Sequence, residues 1–194
     1  MIIIENLLTI NKFSRPGRKL EAKLGLIYHF VGIRNQRPPA VYSYFENDCP
    51  RKGHYSSAHY CIDIDGTIYQ YVPDDEIAYH CGTENIDPGS QKIYTDWARM
   101  VFPRHTMNPA VTSPNLATIG IEMCFTGANG EFTEHTLEAG IELDVKLCLK
   151  YQIFPENIGT HHMVVGWKDC PLYWAKRQNE FHKFKAEIIE RLLY

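Results

Sequence analysis

The sequence predicts an α/β fold, a single domain with a central mixed β-sheet flanked by helices. Three observations predict it. Apolar stretches of strand length recur at residues 24–31, 58–72 and 117–125. Two longer segments, 133–151 and 179–193, carry apolar residues at helical spacing. The two patterns interleave along the chain, with no internal repeat and no low-complexity tract. A length of 194 residues with 44% hydrophobic and 22% charged residues is enough to bury one core, so 1–194 reads as one domain.

Leu24 to Val31 (LGLIYHFV) is a short apolar run bounded by Gly32 and reads as a buried strand, with His29 as its odd member. The stretch with Pro38, Pro39, Asn47, Asp48, Pro50 and Gly53 reads as irregular. Ser56 to Val72 reads as a hairpin: Ala58, Tyr60, Ile62 and Ile64 alternate with His59, Cys61 and Asp63. Asp65-Gly66 is its expected two-residue type I′ turn and Ile68 to Val72 the return strand. Gly82 to Pro114 is rich in Pro, Asn, Asp and Gly, with one short helix expected around Tyr94 to Met100; a loop of this length is often functional. Ala117 to Phe125 predicts a strand with Ile119, Ile121 and Met123 on one face and Gly120, Glu122 and Cys124 on the other. Thr133 to Tyr151 predicts an amphipathic helix with Thr133 as N-cap and Glu134 in the first turn. Ile158 to Val165 is a further strand candidate, and Asn179 to Leu193 a closing helix.

The net charge of −3 argues against a nucleic-acid binder and gives no reason to expect an anionic membrane as partner. No stretch approaches the roughly 18 apolar residues of a membrane span. The opening Met-Ile-Ile-Ile-Glu-Asn is too short for a signal peptide core, which implies synthesis in the cytoplasm and action elsewhere only after release. Of six cysteines, Cys61, Cys124 and Cys148 lie in apolar patterns and no CxxC pair occurs. A reduced compartment is expected, with Cys170 the cysteine of chemical interest.

A catalytic zinc needs three protein ligands and one open position. His29 at the end of an apolar strand, with His162 and Cys170 eight residues apart in a later segment, could supply them. A lone His in an apolar strand is more often a hydrogen-bonded core residue, and a lone Cys before Pro171 is more often simply buried. Spacing alone does not bring His29 to the other two.

The segment Thr160 to Trp174 (THHMVVGWKDCPLYW) resembles the closing motif of type-2 N-acetylmuramoyl-L-alanine amidases, a ligand His followed eight residues later by the Cys of Lys-x-Cys-Pro. LGLIYHFVG resembles their first metal strand, SAHYCIDIDGTIYQYVPDDEIAYHCG their central hairpin with its His-x-Gly, and PNLATIGIEMC their Asn-x-x-Thr-Ile-Gly-Ile-Glu strand. Ser14 to Lys19 (SRPGRK) is similar to the opening segment of the phage and prophage endolysin branch, so the likeness runs in order from about Ser14 to Trp174.

The resemblance implies the fold shared with peptidoglycan-recognition proteins and one zinc ion on His29, His162 and Cys170. It also implies cleavage of the amide between N-acetylmuramic acid and L-alanine in bacterial peptidoglycan. Glu122 falls at the catalytic Glu of the endolysin branch, Lys168 near the substrate carbonyl, and His80 and Asn115 at substrate-facing positions. Ala58 stands where some relatives carry a Tyr general base partner, which throws weight onto Glu122. Neighbours in an extended segment face opposite ways, so only one of His161 and His162 is expected as ligand, and the spacing favours His162. Two other readings share these residues: a peptidoglycan-binding module without activity, and a metal-free cysteine hydrolase using Cys170 or Cys81. A monomer is assumed.

Overall fold

The computed structural model describes residues 2–109 and 111–193. It is an α/β arrangement built on one mixed sheet of six strands. They are β1 (Ile3–Glu5), β2 (Gly25–Phe30), β3 (Tyr60–Ile62), β4 (Ile68–Gln70), β5 (Thr118–Met123) and β6 (Ile158–Thr160), in the spatial order β1-β4-β3-β5-β2-β6. Only β3 and β4 pair antiparallel. The remaining neighbours are parallel, so β5, β2 and β6 all end at the same side of the sheet. Central parallel strands are covered on both faces and read as continuous apolar runs, which is why GLIYHF is buried along almost its whole length.

One face carries Leu26, Tyr28, Ile119, Ile121 and Met123 and packs against α5 (Glu134–Tyr151) and α8 (Gln178–Leu193) through Leu143, Leu147, Phe181, Phe184 and Ile188. The predicted alternation in β5 is therefore observed. Thr133 caps α5: its Oγ1 accepts the Thr136 N–H at 3.0 Å and donates to the Ile64 carbonyl at 2.6 Å, tying the helix start to the hairpin.

The opposite face is covered in two patches. Ile27 packs under α3 (Asp96–Val101) and α6 (His161–Val165) with Phe102, Val164 and Val165. Cys61 and Cys124 pack with Val41, Phe45 and Cys49 from α1 (Pro38–Ser43), the wider helical turn Tyr44–Asp48 and α2 (Cys49–Lys52). The side chains of His29 and Glu122 belong to this face, as does the open side of Gly120.

Several local expectations are corrected. The segment 38–52, read as irregular, is helical, because Pro38 and Pro50 occupy first-turn positions where the missing N–H costs nothing. The hairpin turn is not a two-residue type I′ loop. Asp63 N–H bonds Thr67 O at 2.9 Å and Gly66 N–H bonds Asp63 O at 3.1 Å, with positive φ at Gly66 (84°) but not at Asp65. That is a three-residue loop closed by a left-handed glycine. The strand expected over 158–165 stops at Thr160 and continues as α6. The short strand β1 and the helices α4 (Pro103–Thr106) and α7 (Leu172–Lys176) had no clear pattern. All six cysteines are free thiols. Among the described residues, no helix is long and apolar enough to cross a membrane.

Candidate metal centre

The parallel register builds the site. His29 and Glu122 are direct partners on β2 and β5, so their side chains leave the same face. Tyr28 pairs with Thr160 on β6, and the next residue of each strand brings His161 beside His29. All three sit at the carboxyl ends of adjacent parallel strands, where open α/β sheets bind their ligands. The segment carrying Cys170 is pinned to α6 by the His162 N–H, which donates to the Cys170 carbonyl at 2.8 Å.

His29 Nδ1 lies 3.1 Å from His161 Nδ1 and 3.8 Å from Cys170 Sγ. All three ligand atoms fall within 4.8 Å of one another, and all three residues are buried. A tetrahedral zinc with usual bond lengths would separate two nitrogens by about 3.3 Å and a nitrogen from a sulfur by about 3.6 Å. The donor set fits that ion, and the two separations made by His29 lie near these values. Protonation agrees. Burial holds His29 well below the usual histidine range, with His161 and His80 adding repulsion, and it lowers His161 to about 3. Neutral imidazoles are what a metal requires. Burial, together with the Glu122 carboxylate, pushes the Cys170 thiol up to about 12, so ligation has to release its proton. The buried Cys81 is likewise raised to about 12. Neither sulfur has the lowered pKa of a metal-free nucleophile.

His162 is not part of this cluster, and the expectation that it is the second ligand is corrected to His161. The strand ends at Thr160, whose Oγ1 accepts the Met163 N–H at 3.1 Å and starts α6. His161 thus keeps the strand register, while His162 turns outward. The His162 ring donates from Nδ1 to the Lys168 carbonyl at 3.1 Å and lies 3.9 Å from the Asp169 carboxylate. The eight-residue spacing reflects a backbone contact between His162 and Cys170, not shared coordination. The residues alone held one usable signal for this, a Thr N-cap directly before the pair.

Glu122 has a buried carboxyl group whose Oε2 meets no hydrogen-bond partner among the described residues. Burial raises its pKa to about 8, against the pull of Lys168. It borders an apolar recess of about 250 Å³ lined by Val31, Ile33, Val41 and Phe45. Tyr44 and Ser56 join this recess to a larger cleft of about 740 Å³, bordered by His161, Lys168, His80, Asn115 and Tyr79. Lys168 is exposed at the cleft. His80 and Asn115 border it too, but both His80 ring nitrogens and the Asn115 Oδ1 make contacts inside the protein. Asn115 Oδ1 accepts the N–H groups of His80 (3.1 Å) and Cys81 (2.8 Å), and His80 Nδ1 lies 3.1 Å from His29 Nε2.

Known proteins are similar to this chain in sequence and in fold. N-acetylmuramoyl-L-alanine amidase CwlL of Bacillus licheniformis is 25% identical over 189 residues, covering 96% of this chain and 46% of the relative. N-acetylmuramoyl-L-alanine amidase BlyA of Bacillus subtilis (strain 168) is 26% identical over 187 residues, covering 96% and 47%. The chain therefore spans about half the length of these relatives. Among solved structures, the PlyG catalytic domain superposes with a TM-score of 0.70 at 18% identity, covering 99% of this chain and 96% of that one. The catalytic domain of XlyA gives 0.67 at 23% identity, covering 97% and 99%. The family model described as N-acetylmuramoyl-L-alanine amidase matches residues 23–172, a span that holds every residue of the cluster, and the chain belongs to that family.

Proposed function

We propose that this chain is a zinc-dependent amidase that hydrolyses the bond between the lactyl group of N-acetylmuramic acid and L-alanine in bacterial peptidoglycan. One observation carries the reading: His29 Nδ1, His161 Nδ1 and Cys170 Sγ converge beside a half-buried glutamate, one of whose oxygens is buried without a hydrogen-bond partner among the described residues. The names of the relatives support this choice of bond.

His29, His161 and Cys170 would hold the ion. When bound, zinc would polarise the scissile carbonyl and acidify the attacking water. Glu122 is the general base. Its raised pKa makes the carboxylate a stronger proton acceptor than an exposed glutamate, and the acid it becomes protonates the departing alanine nitrogen. The C–N bond breaks, a C–O bond forms, and the products are a lactyl carboxylate and a free amine. Lys168, the cation bordering the cleft, faces the negative charge developing on the carbonyl oxygen.

The test uses purified cell walls and two product counts. New alanine amino groups should appear without new reducing sugar ends. A chelator should stop the reaction, zinc should restore it, and elemental analysis should find one zinc per chain. Glu122→Gln should keep the metal and lose at least about 100-fold in turnover. Reducing ends in place of amines, or full activity after complete removal of metal, would sink the proposal.

A further inference from the structure

The candidate histidine ligand on β2 has a second ring nitrogen, and its partner is unusual. His29 Nε2 meets His80 Nδ1 at 3.1 Å, on the side of the ring away from His161 and Cys170. His80 Nε2 in turn lies 3.1 Å from Thr118 Oγ1 and 3.3 Å from the Thr118 carbonyl. Thr118 Oγ1 donates to the Pro114 carbonyl at 2.7 Å.

We propose that His80 and Thr118 are positioning residues that lock His29 as its Nε2–H tautomer, so that Nδ1 presents a lone pair to the metal. The inference rests on the zinc reading of the site. Its logic is donor and acceptor counting. A carbonyl cannot donate, so Pro114 O consumes the Thr118 hydroxyl proton. That hydroxyl and the Thr118 carbonyl are then acceptors only toward His80, and the two short contacts of His80 Nε2 with them require its hydrogen; the Cys81 thiol, 3.6 Å from Thr118 Oγ1 and 4.0 Å from His80 Nε2, donates to the nearer hydroxyl. A neutral imidazole has one N–H, so His80 Nδ1 is an acceptor and takes the His29 Nε2–H. His29 Nδ1 is left bare. Hydrogen bonding of a ligand's other nitrogen fixes its tautomer and ring orientation in metal sites generally, although a carboxylate or carbonyl is the usual partner.

The surroundings hold the relay in place. Asn115 Oδ1 clamps the backbone on both sides of the His80 ring through the His80 and Cys81 N–H groups. The ring lies flat against β5, where a Cβ at residue 120 would come within 2.5 Å of His80 Cγ, so glycine is required there. His59 cannot compete for His80. Its Nδ1 accepts the Gly120 N–H at 3.0 Å and its Nε2 donates to the Glu76 carbonyl at 2.9 Å. With both nitrogens engaged inside the protein, His80 serves the metal ligand and not the substrate.

The test measures zinc affinity by chelator competition on the full chain, together with the visible spectrum of the cobalt-substituted protein. His80→Phe keeps a ring but removes the acceptor, and should weaken zinc about 10- to 100-fold and shift the cobalt bands. His80→Asn places an oxygen near the former Nδ1 and should recover affinity to within a few fold of the unmodified chain. Unchanged zinc affinity in His80→Phe with a raised KM would overturn the relay in favour of a substrate contact. Equal loss in Phe and Asn variants would reduce His80 to a packing residue and also overturn it. Nitrogen-15 spectra of the unmodified, metal-free chain give a readout that needs no variant: His29 protonated on Nε2 supports the relay, and protonation on Nδ1 overturns it. An unmodified chain that binds no zinc would instead defeat the reading of the site itself, and the relay with it.

Discussion

His161 and His162 are covalent neighbours with opposite surroundings, one in the buried cluster and one hydrogen-bonded at the surface. His161→Ala should lose bound zinc and activity together, whereas His162→Ala should keep close to one zinc per chain by elemental analysis. A second residue-level prediction concerns pH. Glu122 acts as a base only when ionised, so kcat/KM should fall as pH drops through its pKa, which burial raises to about 8. Lys168 pulls that pKa down. Lys168→Met should therefore move the acid limb of the kcat/KM profile to higher pH; a limb that stays put or moves lower would contradict the pairing. At this scale the shared face of His29 and Glu122 was legible in the sequence, because strand alternation and an apolar setting mark a polar side chain aimed at one face, whereas Cys170 stood out only through its motif. The choice between two adjacent histidines was not. It depends on where β6 stops, and one strand residue more or less exchanges their faces.

Among the elements, α6 matters beyond its five residues because it fixes the position of His161. Thr160→Val removes the oxygen that accepts the Met163 N–H and should cost about 1 kcal/mol. Urea titration would register that loss, and zinc affinity should fall with it. Val at Thr133 should cost a similar amount in urea titration while leaving zinc untouched, since that cap serves α5 and the hairpin, far in sequence from every ligand. The long helices were readable from their apolar stripes, and the parallel core strands from unbroken apolar runs. The helical segment 38–52 was hidden because its prolines look like breakers unless they are recognised as first-turn residues. The pairing order β5-β2-β6 was hidden as well, since strands this short acquire partners only through tertiary packing.

For the molecule as a whole, stability should carry a pH signature from Asp144. This carboxyl lies buried in α5, and neither oxygen has a hydrogen-bond partner among the described residues. Burial raises its pKa well above 3.8, with the Tyr28 hydroxyl and Lys185 opposing weakly. A raised folded pKa means that the native state holds a proton the unfolded chain releases. The contribution is thus fully present below about pH 4 and is lost as pH rises toward the folded pKa, by up to about 1.4 kcal/mol per unit. Asp144→Asn should match the unmodified chain at pH 4 and exceed it increasingly towards neutrality in denaturant titrations; a constant difference would contradict this. The placement of the three candidate ligands has a mechanical side as well. β6 is an edge strand that, among the described residues, pairs only with β2, yet it leads directly into His161, while Cys170 stands 141 residues from His29 in sequence. An ion held by all three would fasten the sheet margin and a distant loop to the adjoining interior strand like a rivet. Stripping it should let the amides of Gly159 and Thr160 exchange with deuterium sooner, while those of Tyr60 and Cys61 on β3 keep their original protection.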